Sequence, residues 1–153
     1  MKIEDILTED LVIPNLGARN KTDALVELAT AVARRHPELE RERLVQALED
    51  RERLNSTALG DGVAIPHGKL PAIKRVFAAF ARSPQGVDFQ SLDGRPTHLF
   101  FLLVAPEDSA GAHLKALARI SRLLKDASFR ARLMEAVDAG EVFRIIREED
   151  DKY

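Results

Sequence analysis

The chain has 153 residues, 45% hydrophobic and 31% charged, the balance of a folded soluble protein rather than a disordered or membrane-embedded one. A formal net charge of −2 gives no electrostatic ground for nucleic-acid binding, and no apolar run approaches the ~20 residues that span a bilayer, which excludes direct membrane insertion. The absence of cysteine removes disulfides, thiol catalysis and thiolate metal sites.

The length favours a single domain over residues 1–153, with a core large enough to fold unaided. The N-terminal MKIEDILTEDLVI carries acidic residues ahead of any apolar segment, unlike a secretory signal, and points to a cytoplasmic location. Ile3–Leu7 reads as one helical turn, and Leu11-Val12-Ile13 as a short strand stopped by Pro14. Thr22 is the expected N-cap of a helix that turns Ala24, Leu25, Leu28, Ala29 and Val32 to one face and ends at His36-Pro37. A second helix, RERLVQALEDRERL, follows with Leu44 and Leu48 inward.

Val63-Ala64-Ile65 is a short apolar strand expected to end at Pro66. Arg75–Arg82 reads as the next strand, SPQGVDFQSLDGRP as loop with a turn at Asp93-Gly94, and THLFFLLV as a central strand buried on both faces. Beyond Pro106, His113 opens a helix whose apolar face includes Leu114, Leu117, Ile120, Leu123 and Leu124. Ser128 caps another, and Gly140 precedes a third. The order β-α2-β3-α3 predicts an α/β fold, a three-layer α/β/α sandwich around a mixed sheet.

Functional chemistry concentrates in Asn55–Lys69, NSTALGDGVAIPHGK. Ser56 and Thr57 bring hydroxyls, and Gly60 and Gly62 bring a backbone that turns sharply and approaches a ligand closely. His67 stands at the expected strand end, with Gly68 letting the chain turn away. Of the other histidines, His36 fits a solvated helix terminus and His98 a packed or edge position. His113 sits near a helix N-terminus, where anions are favoured.

A histidine nucleophile for phosphoryl transfer needs a neutral ring nitrogen, its other nitrogen oriented by an acceptor, and donors and a cation around the charged product. Ser56, Thr57, the glycine turn, Arg51 and His113 have the chemistry for that task. Ser56-Thr57 equally fits a plain helix-terminating turn, and Arg51 a solvated helix charge. Two rivals stand beside this reading. A metal-dependent hydrolase would ligate its ion through His67, His113 and an acid such as Asp61, but the chain has no HExxH or comparable spacing, and no metal or cofactor is expected. A nucleotide-binding module would use the glycines, but neither GxxxxGK[ST] nor GxGxxG is present.

At Arg51-Glu52, Ser56-Thr57, LGDGVAIPHGK and His113-Leu114 the chain resembles the fructose/mannitol-type enzyme IIA family of the phosphotransferase system, including its nitrogen-regulatory branch. The likeness extends over nearly the whole chain. It implies a mixed sheet between helices and a phosphotransferase that works through a phosphohistidine intermediate. His67 would accept phosphate on Nε2 from the phosphohistidine of a small carrier protein, with His113 and Arg51 as further active-site residues. The IPHGKL segment and the stand-alone length are most similar to the regulatory branch, in which a target protein is controlled. A sugar-specific enzyme IIA passing phosphate to a IIB domain is the alternative. For docking, Leu59, Ile65, Leu70 and the turn after Val104 are the expected apolar face, with Asp61 and Lys69 at its rim.

Overall fold

In the computed structural model, which describes residues 1–153, two 3₁₀ turns (Ile3–Asp5 and Glu9–Leu11) lead into strand β1 (Val12–Ile13). Two helices follow, α1 (Lys21–Arg35) and α2 (Arg41–Leu54), then five strands: β2 (Ala58–Gly60), β3 (Val63–Ala64), β4 (His67–Lys69), β5 (Phe77–Val87) and β6 (Thr97–Ala105). Helices α3 (Ala110–Leu124), α4 (Ala127–Glu135) and α5 (Ala139–Asp150) close the chain. The sheet order is β1-β5-β6-β3-β2, with β4 also on β6. β5 and β6 are antiparallel, whereas β1 on β5 and both β3 and β4 on β6 are parallel, so the sheet is mixed.

The nearly unbroken apolar run of β6 is explained by its two covered faces. Successive strand residues point to opposite sides, and Phe101 meets Phe80 edge-on while Phe100 meets Phe89. On the first side the buried Arg82 guanidinium donates to the carbonyls of Leu133 and Ala136 at the end of α4. On the other, Lys21 of α1 lies over the Phe89 ring, 4.8 Å from its centroid. Helices therefore cover both faces, as the α/β/α expectation requires.

Several boundaries differ from the sequence reading. β3 ends at Ala64, ahead of Pro66 as expected, but the chain does not leave the sheet there and pairs with β6 again from His67. Val63 pairs with Leu99 and His67 with Leu103, both 36 residues apart, so one register runs through the proline. Pro66 forfeits its own N–H, yet its carbonyl accepts from Leu103 N at 3.0 Å and keeps the ladder aligned. β5 runs on to Val87 across the expected loop, its register shifting after Arg82, with Gly86 at φ +93°. β2 has no counterpart in the sequence reading. Asn20, not Thr22, caps α1 by accepting from Asp23 N (2.9 Å). Asp126, not Ser128, caps α4, and Asp138 caps α5 with Gly140 already inside it. These cap shifts have one cause. A side-chain oxygen must reach the N–H two or three residues ahead, which fixes the cap by geometry rather than by residue type. α3 begins at Ala110, three residues before His113, and its Leu114 is 64% exposed instead of buried.

Candidate functional site

Gly68 sets the site by what it lacks. A Cβ at this position would stand 3.3 Å from Ala47 Cβ and 3.6 Å from Leu48 Cδ2, so α2 packs against the strand at a distance only glycine permits comfortably. It does not turn the chain away; Gly68 and Lys69 continue the pairing with β6. One helical turn beyond Ala47, Arg51 is thereby carried to His67. Its Nε–H donates to His67 Nε2 at 3.1 Å, and its Nη1 donates to Asn55 O and Oδ1 at 3.0 and 2.9 Å.

The His67 tautomer follows from its partners. His67 Nδ1 lies 2.9 Å from the Ile65 carbonyl, which only accepts, so Nδ1 carries the proton. Arg51 Nε only donates, so Nε2 presents its lone pair. Burial holds the His67 pKa below its ordinary value, with the Arg51 and Lys69 charges acting in the same sense; the Ile65 carbonyl and the Glu52 carboxylate oppose them. The ring is thus neutral, oriented and only half-buried.

His113 stands beside it, the two ring centroids 5.2 Å apart. It is buried, its Nδ1 has no hydrogen-bond partner, and it lies in the first turns of α3. The Ser109 hydroxyl bends back to the Pro106 carbonyl (3.0 Å) instead of capping that helix, leaving its leading N–H groups without a side-chain acceptor. Burial, then His67 and Lys69, depress the His113 pKa to about 4. Between the ordinary 6.5 and about 4, the unfolded chain binds a proton that the native chain refuses, so stability falls as pH drops through that window. The loss can reach at most ~1.4 kcal/mol per pH unit across that window, and solvent screening at the half-open site lowers it. Urea unfolding at pH 7 and pH 4.5 is expected to show that slope in the native sequence and a flatter one in His113→Asn; equal slopes would remove His113 as the cause.

The remaining sequence candidates divide. Ile65 N donates to Thr57 O (3.1 Å), which aligns the start of β2 with β3 and sets Ser56 across from Pro66 in that register. The Ser56 hydroxyl accepts from Ala58 N at 3.1 Å and keeps its own proton to donate. Thr57 is buried, and its N–H and hydroxyl both donate to Glu52, so its hydroxyl faces away from His67 duty. Gly60 (φ +86°) and Gly62 (φ +78°) form the turn between β2 and β3 with Asp61. That turn docks against the opposite end of β6, where Gly62 O accepts from His98 and Leu99. Four strand residues at ~3.3 Å each separate its edge, Val63, from His67, roughly 13 Å. The glycines shape the hairpin and do not line the histidine site.

Among the expected docking residues, Leu59 is 54% exposed, whereas Ile65 and Leu70 are core residues at 3% and 6%. Leu54 and Leu114, which sequence reasoning did not place there, are exposed instead, three residues from Arg51 and one from His113. Lys21 has no place in the sequence reading, and Glu52 enters it only through the resemblance at Arg51-Glu52, with no role of its own. They form a largely buried ion pair (3.1 Å), and a charge inside an ordinary helical pattern gives no signal of it. No group of three His, Asp or Glu side chains is placed to hold a metal ion, and no helix is long and apolar enough to cross a membrane.

Comparison with known proteins gives the chain its relatives. It is 43% identical over 146 residues to a nitrogen regulatory protein of Bradyrhizobium diazoefficiens, with 95% of each chain covered. It is 36% identical over 150 residues to the fructose-specific EIIABC component of Bacillus subtilis, matching 98% of this chain but 24% of that longer protein. Among solved structures, the nitrogen regulatory protein IIA-Ntr of Neisseria meningitidis superposes with a TM-score of 0.88 at 33% identity, covering 94% of this chain and 98% of that one. Residues 5–149, which include α2, the sheet and both paired histidines, match the family described as Phosphoenolpyruvate-dependent sugar phosphotransferase system, EIIA 2, and the chain belongs to it.

Proposed function

We propose that the protein is a phosphocarrier that receives a phosphoryl group on His67 Nε2 from the phosphohistidine of a small carrier protein. The observation that carries this reading is the fixed His67 tautomer: Nδ1–H on the Ile65 carbonyl, Nε2 lone pair toward the Arg51 guanidinium. In the transfer, Nε2 forms the new P–N bond as the carrier's P–N bond breaks, and the carrier imidazole leaves with the electron pair. Arg51 Nε must release Nε2 and move to the phosphoryl oxygens. The Ser56 hydroxyl, the leading N–H groups of α3 and Lys69 add donors and positive charge. As the phosphoryl dianion arrives beside His113, its field raises the proton affinity of that ring, making it a donor.

A regulatory role of the nitrogen type is our reading of the downstream step. It is supported by the 43% and 33% likeness to proteins named nitrogen regulatory over nearly their whole lengths. The fructose-type relative favours a second reading, donation to a sugar-specific IIB domain. Phosphorylated protein mixed with IIB domains separates the two: rapid loss of label to a IIB domain establishes the second. The metal-hydrolase reading lacks a third ligand beside the two histidines.

The carrier must reach His67 on an open face, with an interface in the small class below ~1,200 Å². The exposed Leu54, Leu59 and Leu114 supply its apolar part. Leu114→Asp is expected to slow transfer about tenfold at low carrier concentration, with most of the rate recovered at saturation and an unchanged circular dichroism spectrum. Leu70→Asp, by contrast, buries a charge and is expected to cost about 3 kcal/mol or more of stability. A folded Leu114→Asp protein with the native rate at low carrier would place the docking face elsewhere.

A further inference from the structure

We infer that Glu52 is the positioning residue of the site: through Thr57 it fixes both His67 and the arginine that faces it. This rests on the phosphoacceptor reading of His67. Glu52 lies in the last turn of α2, and its side chain is only 4% exposed. A buried carboxylate is tolerated when its oxygens are filled, and here three donors fill them: Thr57 N at 3.1 Å, the Thr57 hydroxyl, and Lys21 Nζ at 3.1 Å.

What those donors belong to gives Glu52 its role. The Thr57 carbonyl accepts from Ile65 N (3.1 Å), and the Ile65 carbonyl in turn holds His67 Nδ1 (2.9 Å). Two residues before Thr57, Asn55 grips the Arg51 guanidinium through both of its oxygens. Thr57 is therefore a knot between two routes to one point, the contact of Arg51 Nε with His67 Nε2. Glu52 ties that knot from the same helical turn that carries Arg51, and Lys21 anchors Glu52 from α1. Placement of this kind matters because a shift of about 1 Å in a reacting group costs on the order of 100-fold in rate.

A mere ion pair and a positioning carboxylate respond differently to exchange of the charges. The Lys21→Glu/Glu52→Lys protein restores opposite charges at the two positions but has no acceptor at position 52 for Thr57. It is expected to regain thermal stability over Glu52→Lys while remaining at least tenfold slow in transfer at saturating carrier. Glu52→Gln is expected to lower kcat about tenfold with little change in KM. It should also move the His67 NMR titration to lower pH, since the opposing carboxylate charge is gone. Where Glu52→Gln folds poorly, Thr57→Val leaves the Lys21 pair in place and is expected to slow transfer about threefold. Recovery of the native transfer rate in the exchanged protein would overturn the inference. So would a folded Glu52→Gln protein with native rate and native His67 titration. If the native protein takes no label on His67, the phosphoacceptor reading fails by itself. The His67 titration and the Arg51 Nε–H resonance of Glu52→Gln then still decide the positioning role.

Discussion

Replacing His67 by alanine is expected to abolish phosphorylation by phosphoenolpyruvate, enzyme I and the carrier protein, where the native chain takes up about one acid-labile, base-stable phosphate. The other three histidines are unsuited to the role, each for a different physical reason. His36 is the C-cap of α1, its ring stacked on Phe77 with centroids 4.0 Å apart, and it faces Glu38 rather than any cluster of donors. His98 has Nδ1 on the Ser83 carbonyl (2.8 Å) and packs over Gly86, where a Cβ would stand 3.1 Å from its Cε1. His113 is 6% exposed, too enclosed to receive a group from another protein. Only His67 combines a fixed tautomer, an Nε2 lone pair turned to a cationic donor and a half-open face. Burial, with the Arg51 and Lys69 charges, holds its pKa below the ordinary imidazole value, which favours the neutral, accepting form of the ring. The check is acid-labile label per chain, with circular dichroism to show that His67→Ala folds; undiminished label in the variant would move the acceptor elsewhere.

The features legible in the sequence were those with strong local causes. THLFFLLV could be read as a doubly covered strand because burial on both faces erases alternation, and β6 is that strand. The two helices before the motif showed their apolar spacing, and RERLVQALEDRERL is α2 residue for residue. Features set by partners distant in sequence were not legible. Pro66 looked like a stop because a lone strand has no means to continue past a missing donor, whereas here β6 holds the register on both sides of it. Gly60, Gly62 and Gly68 look alike in sequence. Two have positive φ in a hairpin turn distant from His67, while the third has no side chain because Ala47 occupies the space. Leu70 and Leu114 were interchanged for a similar reason. Leu70 N is held by the Ala105 carbonyl, which seats its side chain in the core. Leu114 falls on the open side of α3 once His113 is turned inward. Glu52 was visible only as part of a resemblance, since its role depends on Lys21 and Thr57 together.

The second large effect is expected at Arg51. In the resting site its Nε–H covers the lone pair that must attack, and its charge lowers the basicity of His67. Arg51→Ala would therefore give a freer and more basic nucleophile, an advantage of about a few-fold. Against that stands the loss of a preorganised cation and forked donor at the phosphoryl oxygens, an effect of roughly 100- to 1,000-fold where charge develops in a dry site. The second term is larger, so Arg51→Ala should still be labelled on His67 but at least ~100-fold more slowly. Arg51→Lys should recover little, because a point charge cannot replace the fork that Asn55 orients. His113→Ala removes a ring that is neutral at rest and becomes a donor only as the dianion arrives, so a loss of about tenfold is expected. Single-turnover transfer from the phosphorylated carrier at saturation measures all three. Native rates in both alanine variants would return Arg51 to a surface helix charge and His113 to a packed core residue.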